Sequence, residues 1–319
     1  MATKRFWLRR AVCAAACLSM LSAASADEFG SGANQFMIDF VTISGATNPT
    51  SGYGIVNNDY RMGIYEITND QWAKFEASLG VPVTGDPSSA YDKPADKFTG
   101  TNVPTNNVSW YEAAQFVNWL NTSTDHQEAY KFTGTQGQSD YALGTWSAAE
   151  ADGTNLYRHK DAFYYLPTED EWVKAGYWNG TSLQTYATKA GETLHQGDGV
   201  SGTGWNYYDG GYATDPSGPW DAGNGSEELN GTYDMMGNVW EWMESPYASG
   251  DYGTGSDRAL HGGSYDGSGY LAALPRVSGS PENEYFDNVG FRVASEVPEP
   301  ASLSSLAIGG LALIRRRRV

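Results

Sequence analysis

One twelve-residue stretch, Gly231-Thr232-Tyr233-Asp234-Met235-Met236-Gly237-Asn238-Val239-Trp240-Glu241-Trp242, restricts the folds open to this chain more than any other. Gly237-Asn238 is a turn dipeptide, and the residues from Val239 to Met243 alternate as a short strand does. Val239 and Glu241 would share a polar-lined face, and Trp240 and Trp242 a core face. In the turn itself, Asp234 and Glu241 are hard carboxylates flanking a glycine whose neighbouring carbonyls can point inward. Calcium takes roughly six to eight such oxygens, so the loop permits a calcium site. The spacing is not that of an EF-hand, and two acids beside a turn are more often simply solvated.

The rest of the sequence suits such loops. Among 319 residues, 38 glycines with 11 Trp and 21 Tyr favour short elements and tight turns pinned by large rings over a helical bundle. The segment Phe36 to Ile43 reads as the first strand and Tyr60 to Ile67 as another. Three capping boxes open short helices: Thr68 with Gln71, Ser109 with Glu112, and Thr168 with Glu171. The first helix carries Trp72, Phe75 and Leu79 on one face and ends at Gly80; the second repeats Ala113, Phe116, Val117 and Leu120 as far as Asn121. Residues 81–107 read as loop.

Residues 1–26 have the form of a signal peptide: Lys4, Arg5, Arg9 and Arg10, an apolar run, then Ala24-Ser25-Ala26. Both cysteines, Cys13 and Cys17, fall inside it, so residues 27–296 hold neither thiol nor disulfide. Residues 297–319 begin Val297-Pro298-Glu299-Pro300, continue through fourteen mostly apolar residues, and reach Arg315 to Arg318. That run is short for a bilayer span, which needs about 20 residues. The eight basic residues of the two terminal segments leave 12 against 37 acids, a balance near −25. Such a charge argues against nucleic acid and anionic membrane as partners and suits an exported protein that gathers divalent cations or works among charged polysaccharides.

The stretch from Tyr233 to Trp242 resembles the central signature of the formylglycine-generating enzyme (sulfatase-modifying factor) family. Tyr65 to Asn69, Val108 to Ala114, Leu166 to Trp172, His261 to Tyr265 and Gly290 to Arg292 are similar, in order, to its other signatures, over about residues 36–294. The resemblance implies an α+β, C-type-lectin-like fold, loop-rich, with short helices on small twisted sheets. It also implies structural calcium held by the side chains of Asp234 and Glu241 and the carbonyls of Gly237 and Val239. A second calcium loop is implied at Asn206 and the Tyr207 carbonyl, its acidic ligand open among Asp209, Asp215 and Asp221. The tail resembles the PEP-CTERM sorting signal of Gram-negative bacteria, which implies exosortase-type machinery as a partner, with the membrane met only transiently.

The family's oxidation of a sulfatase cysteine uses two cysteines shortly after the Gly-Gly-Ser motif, whose thiolates hold copper(I). Those positions are Gly267 and Ala272 here, and the usual arginine ahead of the glycines is His261. No catalytic residues are therefore assigned. His126, His159, His195 and His261 show no metal-ligand spacing, and no G-x-S-x-G marks a serine nucleophile. Five tryptophans, Trp72, Trp110, Trp172, Trp240 and Trp242, read as core, and Arg292 as the partner of a buried carboxylate. The expected function is recognition of a glycan or protein at the cell surface or in the extracellular matrix. The alternative is a metal-dependent oxidoreductase of the same superfamily, related to its non-haem iron enzymes.

Overall fold

The computed structural model describes residues 24–79, 97–135, 140–283 and 286–298. Most of the leader, the first helix's expected stop at Gly80, much of the loop after it, and the tail from Glu299 lie outside them. Along the described chain run β1 (Ser25–Phe29), β2 (Phe36–Ile43), β3 (Tyr60–Gly63), α1 (Asn69–Leu79), α2 (Trp110–Ser123), β4 (Phe132–Thr133), β5 (Ala142–Leu143), β6 (Ala151–Asp152) and β7 (Asn155–His159). Then follow β8 (Tyr164–Tyr165), α3 (Glu169–Tyr177), β9 (Trp240–Pro246), β10 (Arg258–His261), β11 (Val277–Gly279), β12 (Val289–Gly290) and β13 (Ala294–Glu296). One sheet has the order β1-β2-β3-β13-β8 and a second the order β11-β10-β9-β12; β4-β5 and β6-β7 are small hairpins. This is an α+β, C-type-lectin-like architecture of short helices on curled sheets, with long irregular connections.

All three capping boxes form. Thr68 N–H donates to Gln71 Oε1 (2.9 Å), and in α2 and α3 both halves of the box are present. Each box satisfies N–H groups that the first helical turn leaves orphaned, so each helix starts where its Ser or Thr stands. The helix α2 is not amphipathic in the way its apolar repeat suggests, because its polar side is buried too. Asn118 and Asn121 occupy that side. Asn118 exchanges hydrogen bonds with the Tyr130 backbone (2.7 and 2.9 Å), and Asn121 holds the backbone of Tyr164 (2.8 and 2.9 Å). These amides do for neighbouring strands what water would otherwise do.

Other expectations are corrected. The strand read over Tyr60 to Ile67 stops at Gly63, where the Ile64 N–H turns to the Asp39 carbonyl and the Gly63 N–H to that of Val293. The strand at Phe36–Ile43 is not the first, since β1 (Ser25–Phe29) precedes it and pairs with it. From Asp27 onward β1 is held by a bidentate pair of Asp27 with Arg61 (2.9 and 2.6 Å) and by the Tyr164 hydroxyl (2.8 Å). The four tryptophans Trp72, Trp110, Trp172 and Trp242 are core, whereas Trp240 is only half-buried.

Between the helices and the β6–β7 hairpin lies the buried guanidinium of Arg158. It meets Glu171 at both oxygens (2.9 and 2.8 Å), Glu244 (3.1 and 3.0 Å from Nε), and the face of Tyr165 (3.5 Å). Removing one partner of such a cluster leaves buried charge uncompensated, at a cost of about 3–5 kcal/mol. Arg158→Met should therefore lower unfolding free energy by about that amount, read as a reduced urea midpoint with an unchanged slope. An unaltered midpoint would show that the pair contributes nothing net.

Candidate functional site

The acidic turn ahead of β9 is folded by three residues with positive φ: Asp234 (63°), Gly237 (97°) and Asn238 (61°). Glycine is obligatory at 237, since a Cβ there would fall 2.1 Å from the Asn206 carbonyl oxygen. Asn238 accepts that strained backbone because it is bonded on every side. Its N–H donates to the Asn206 carbonyl (2.8 Å), its Nδ2 to Glu66 (2.7 Å), and its Oδ1 accepts from the Trp220 N–H (2.7 Å) and Asn206 Nδ2 (3.1 Å). One asparagine thus ties together the turn, the segment after α1's preceding strand, and the 205–220 loop.

Four buried carboxylates gather about this turn: Glu66, Glu228, Asp234 and Glu241. One guanidinium answers them. Arg292 Nε and Nη2 donate to the two oxygens of Glu241 (both 2.6 Å), and its remaining donors reach the carbonyls of Gly63, Ile64 and Tyr233. Trp172 Nε1 also donates to Glu241 (2.9 Å). Burial works against the Arg292 charge, but Glu241 outweighs it and holds the group protonated. Burial, reinforced by Asp234 and Glu241, pushes Glu66 well up. Burial also pushes Asp234 up to about 7, against the opposing Gly223 N–H (2.6 Å) and Arg292, and Glu228 up to about 8. Glu228 Oε1 is buried with no hydrogen-bond partner among the described residues. Four acids around one arginine make a region short of positive charge.

The residues named from the sequence fall as follows. Val239 and Glu241 are both buried, Glu241 against Arg292 and Trp172, whereas of the opposite pair only Trp242 is. The carbonyls of Gly237 and Val239 accept no hydrogen bond among the described residues. Glu241 would share its carboxylate between a calcium ion there and Arg292. Among the described residues, no three His, Cys, Asp or Glu side chains meet in a metal-binding group, so a cation here would depend on backbone oxygens and water. In the second loop, Asn206 Nδ2 donates to the Gly218 carbonyl (3.0 Å), and Gln196 Nε2 donates to the Tyr207 carbonyl (2.6 Å), an oxygen the resemblance assigns to metal. Sequence reasoning missed Glu66, Glu228 and Asn238. The Tyr65 to Asn69 signature was the available signal for Glu66, since an acid beside an apolar strand end needs a partner.

The loop after Gly262-Gly263-Ser264 is held by side-chain and backbone contacts. Ser264 Oγ donates to Asp266 (2.6 Å), the Gly267 carbonyl accepts from the Tyr208 N–H (3.1 Å), and the Tyr270 ring lies 5.0 Å from that of Trp240. A Cβ at Gly267 would meet nothing closer than 3.7 Å, so glycine is not required there by space. His261 is buried against Trp172 and bonded through Nε2 to Glu169 (2.9 Å).

A family model described as the sulfatase-modifying factor enzyme 1-like domain matches residues 28–297, and one described as the PEP-CTERM protein-sorting motif matches residues 296–318. Over 237 residues the chain is 28% identical to chaperone protein LppX of Paenibacillus barcinonensis, spanning 65% of this chain and 73% of that protein. Over 76 residues it is 41% identical to inactive C-alpha-formylglycine-generating enzyme 2 of Mus musculus, a match covering 22% of this chain and only 23% of that one. Treponema denticola variable protein 1 superposes with a TM-score of 0.58 at 23% identity, over 86% of this chain and 99% of that one. CarF gives a TM-score of 0.58 at 22% identity, over 82% and 98%. At these identities the two structures speak for the fold alone.

The charge deficit sets a pH dependence. An unfolded glutamate titrates near 4.5 and folded Glu228 near 8, so between these values the folded form keeps a proton that the unfolded form has lost. The stability from this group is complete below the lower value and fades as pH rises to the upper one, by at most about 1.4 kcal/mol per unit. Urea midpoints taken in chelator from pH 5 to 8 should fall with pH, and Glu228→Gln should flatten the fall by up to that amount. An identical slope in the variant would exclude Glu228 as its source.

Proposed function

The chain belongs to the sulfatase-modifying factor family, and we propose that within it this is an exported, non-catalytic recognition protein of the cell surface or matrix. One observation carries the reading. At the positions where the family places its thiolates, the chain has Gly267 and Ala272, and residues 27–296 contain no cysteine at all. Copper(I) prefers thiolate, and neither side chain there offers a donor atom or a nucleophile. Of the polar side chains nearby, Ser264 Oγ donates to Asp266 and His261 Nε2 is bonded to Glu169. The partial match to a relative named as inactive supports the same reading, as does the sorting motif, which addresses the chain to exosortase machinery.

Calcium belongs to this reading as a structural ion. Asp234, Gly237, Val239 and Glu241 would hold it, and its chemistry there would be charge compensation for the buried acids, with no redox role. Asn206 and Tyr207 would take a second ion only after Gln196 releases the Tyr207 carbonyl.

Two experiments test these statements. A cation bound by the folded state alone adds RT ln(1 + [L]/Kd), about 3 kcal/mol at hundredfold excess. Calcium should raise the melting temperature and chelation lower it, and Asp234→Ala should remove the response; a chelator-insensitive melt would dismiss the ion. Separately, the purified protein incubated with a cysteine-containing sulfatase peptide, oxygen and copper should yield no aldehyde by mass spectrometry. The doubly substituted Gly267→Cys, Ala272→Cys protein should stay inactive as well, because His261 replaces the family's arginine. Turnover above a metal-only control would instead establish the oxidoreductase.

A further inference from the structure

At the far end of β9 from Trp240, five residues or about 17 Å along the strand, lies a cavity of about 300 Å³. Its walls come from the start of α3, the end of β9 with the loop after it, the β6–β7 turn, Tyr53 and Arg276. It is therefore separate from the loop that carries Gly267 and Ala272, and no part of the acidic turn lines it.

The lining combines aromatic faces with unspent hydrogen-bonding groups. Tyr53, Tyr247 and Tyr252 contribute rings to one cavity, and among the described residues none of their hydroxyls has a hydrogen-bond partner. Tyr252 is steadied from behind by Tyr157 (4.8 Å). Arg276 lies over Tyr247 (4.3 Å) and near Tyr53 (5.8 Å). Its Nη1 donates to both oxygens of Glu169 (3.0 and 2.9 Å), which fixes the guanidinium while leaving Nε and Nη2 without partners among the described residues. Stacking and a bifurcated charge-assisted contact from Nη1 hold this arginine in place before any ligand arrives.

Charge decides the class of ligand. Two carboxylates, Glu169 and Asp170, face one guanidinium. The N-terminus of α3, which would otherwise attract an anion, is occupied by its own Glu169, Asp170 and Glu171. An acidic ligand would meet net negative charge. The volume lies at the lower limit for small-molecule sites, roughly 300–1,000 Å³, which suits one or two rings and not a protein surface. Rigid tyrosines with free hydroxyls and a fixed donor fork match a ring whose faces are C–H and whose rim is hydroxyl. The geometry points to a binding site for a neutral pyranose, the terminal sugar of a surface or matrix glycan, packed on the tyrosines and hydrogen-bonded by Arg276 and the phenols. This assignment rests on the recognition reading above.

The test uses the purified exported protein, with methyl glycosides of glucose, galactose, mannose and N-acetylglucosamine and with galacturonic acid as probes, in saturation-transfer NMR and calorimetric titration. At least one neutral glycoside should bind and galacturonate should not compete. Tyr247→Ala and Arg276→Ala should each weaken binding about tenfold or more, whereas Tyr247→Phe, which keeps the ring, should stay within about threefold. Tyr247 is partly exposed, so its variants retain the fold, checked by an unchanged melting temperature. Binding unaffected by both alanine variants, or a preference for the uronate, would overturn the assignment. If the protein still adheres to its own cells or matrix while no neutral glycoside binds, recognition stands and this site falls. If adhesion also fails and iron or copper turnover appears, the recognition reading falls with it.

Discussion

The buried pair of Arg292 and Glu241 is the contact on which the remaining architecture depends. Glu241 lies in β9, in the middle of the second sheet, and Arg292 lies between β12 and β13, where the chain crosses from that sheet to the first. The same guanidinium donates to carbonyls at the end of β3 and to Tyr233 in the acidic turn. Three segments distant in sequence, at residues 63–64, 233–241 and 292, therefore converge at one cation. A pair of this kind adds little net stability, because both ions are stripped of water, but loss of either partner strands the other. Its effect is to select one arrangement: with short strands and long loops, few other contacts could fix how the two sheets meet.

This arrangement also separates scaffold from chemistry. Two of the deeply placed charge clusters, Arg158 with Glu171 and Glu244, and Arg292 with Glu241, are bonded to one another and to backbone. Such clusters hold shape. Where an oxidase of the family would carry sulfur, this chain carries a glycine and an alanine in a loop closed by Ser264, Asp266 and Asn288. The scaffold is thus retained while these two positions carry no cysteine.

Much of this could be read in the sequence, and the failures have physical causes. Capping boxes are local: Ser109 and Glu112 meet within one turn whatever surrounds them, so three helix starts were legible. Arg292 was legible as a buried-carboxylate partner because an arginine between apolar neighbours has few other fates, although its partner was not. Glu66 and Asn238, 172 residues apart, bond to each other only in the folded chain, and no window of sequence contains both. The burial of α2's polar side was hidden for the same reason. Asn118 and Asn121 look solvent-facing by periodicity, and only the strands arriving from residues 130 and 164 show that they replace solvent. The pocket beside Arg276 escaped entirely, since its tyrosines come from parts of the chain with no shared motif.

The placement of β13 has a consequence for how the molecule is made. This last of the described strands is not at an edge; it sits between β3 and β8, paired with residues 60–62 on one side and 164–165 on the other. Until it arrives, β3 and β8 each present an unpaired border, and the first sheet exists only as two fragments. Closure must bring together residues more than 230 positions apart, which makes it the least local pairing of the first sheet. A polypeptide ordered in this way leaves that sheet open until β13 has been made, a condition compatible with threading through a narrow channel.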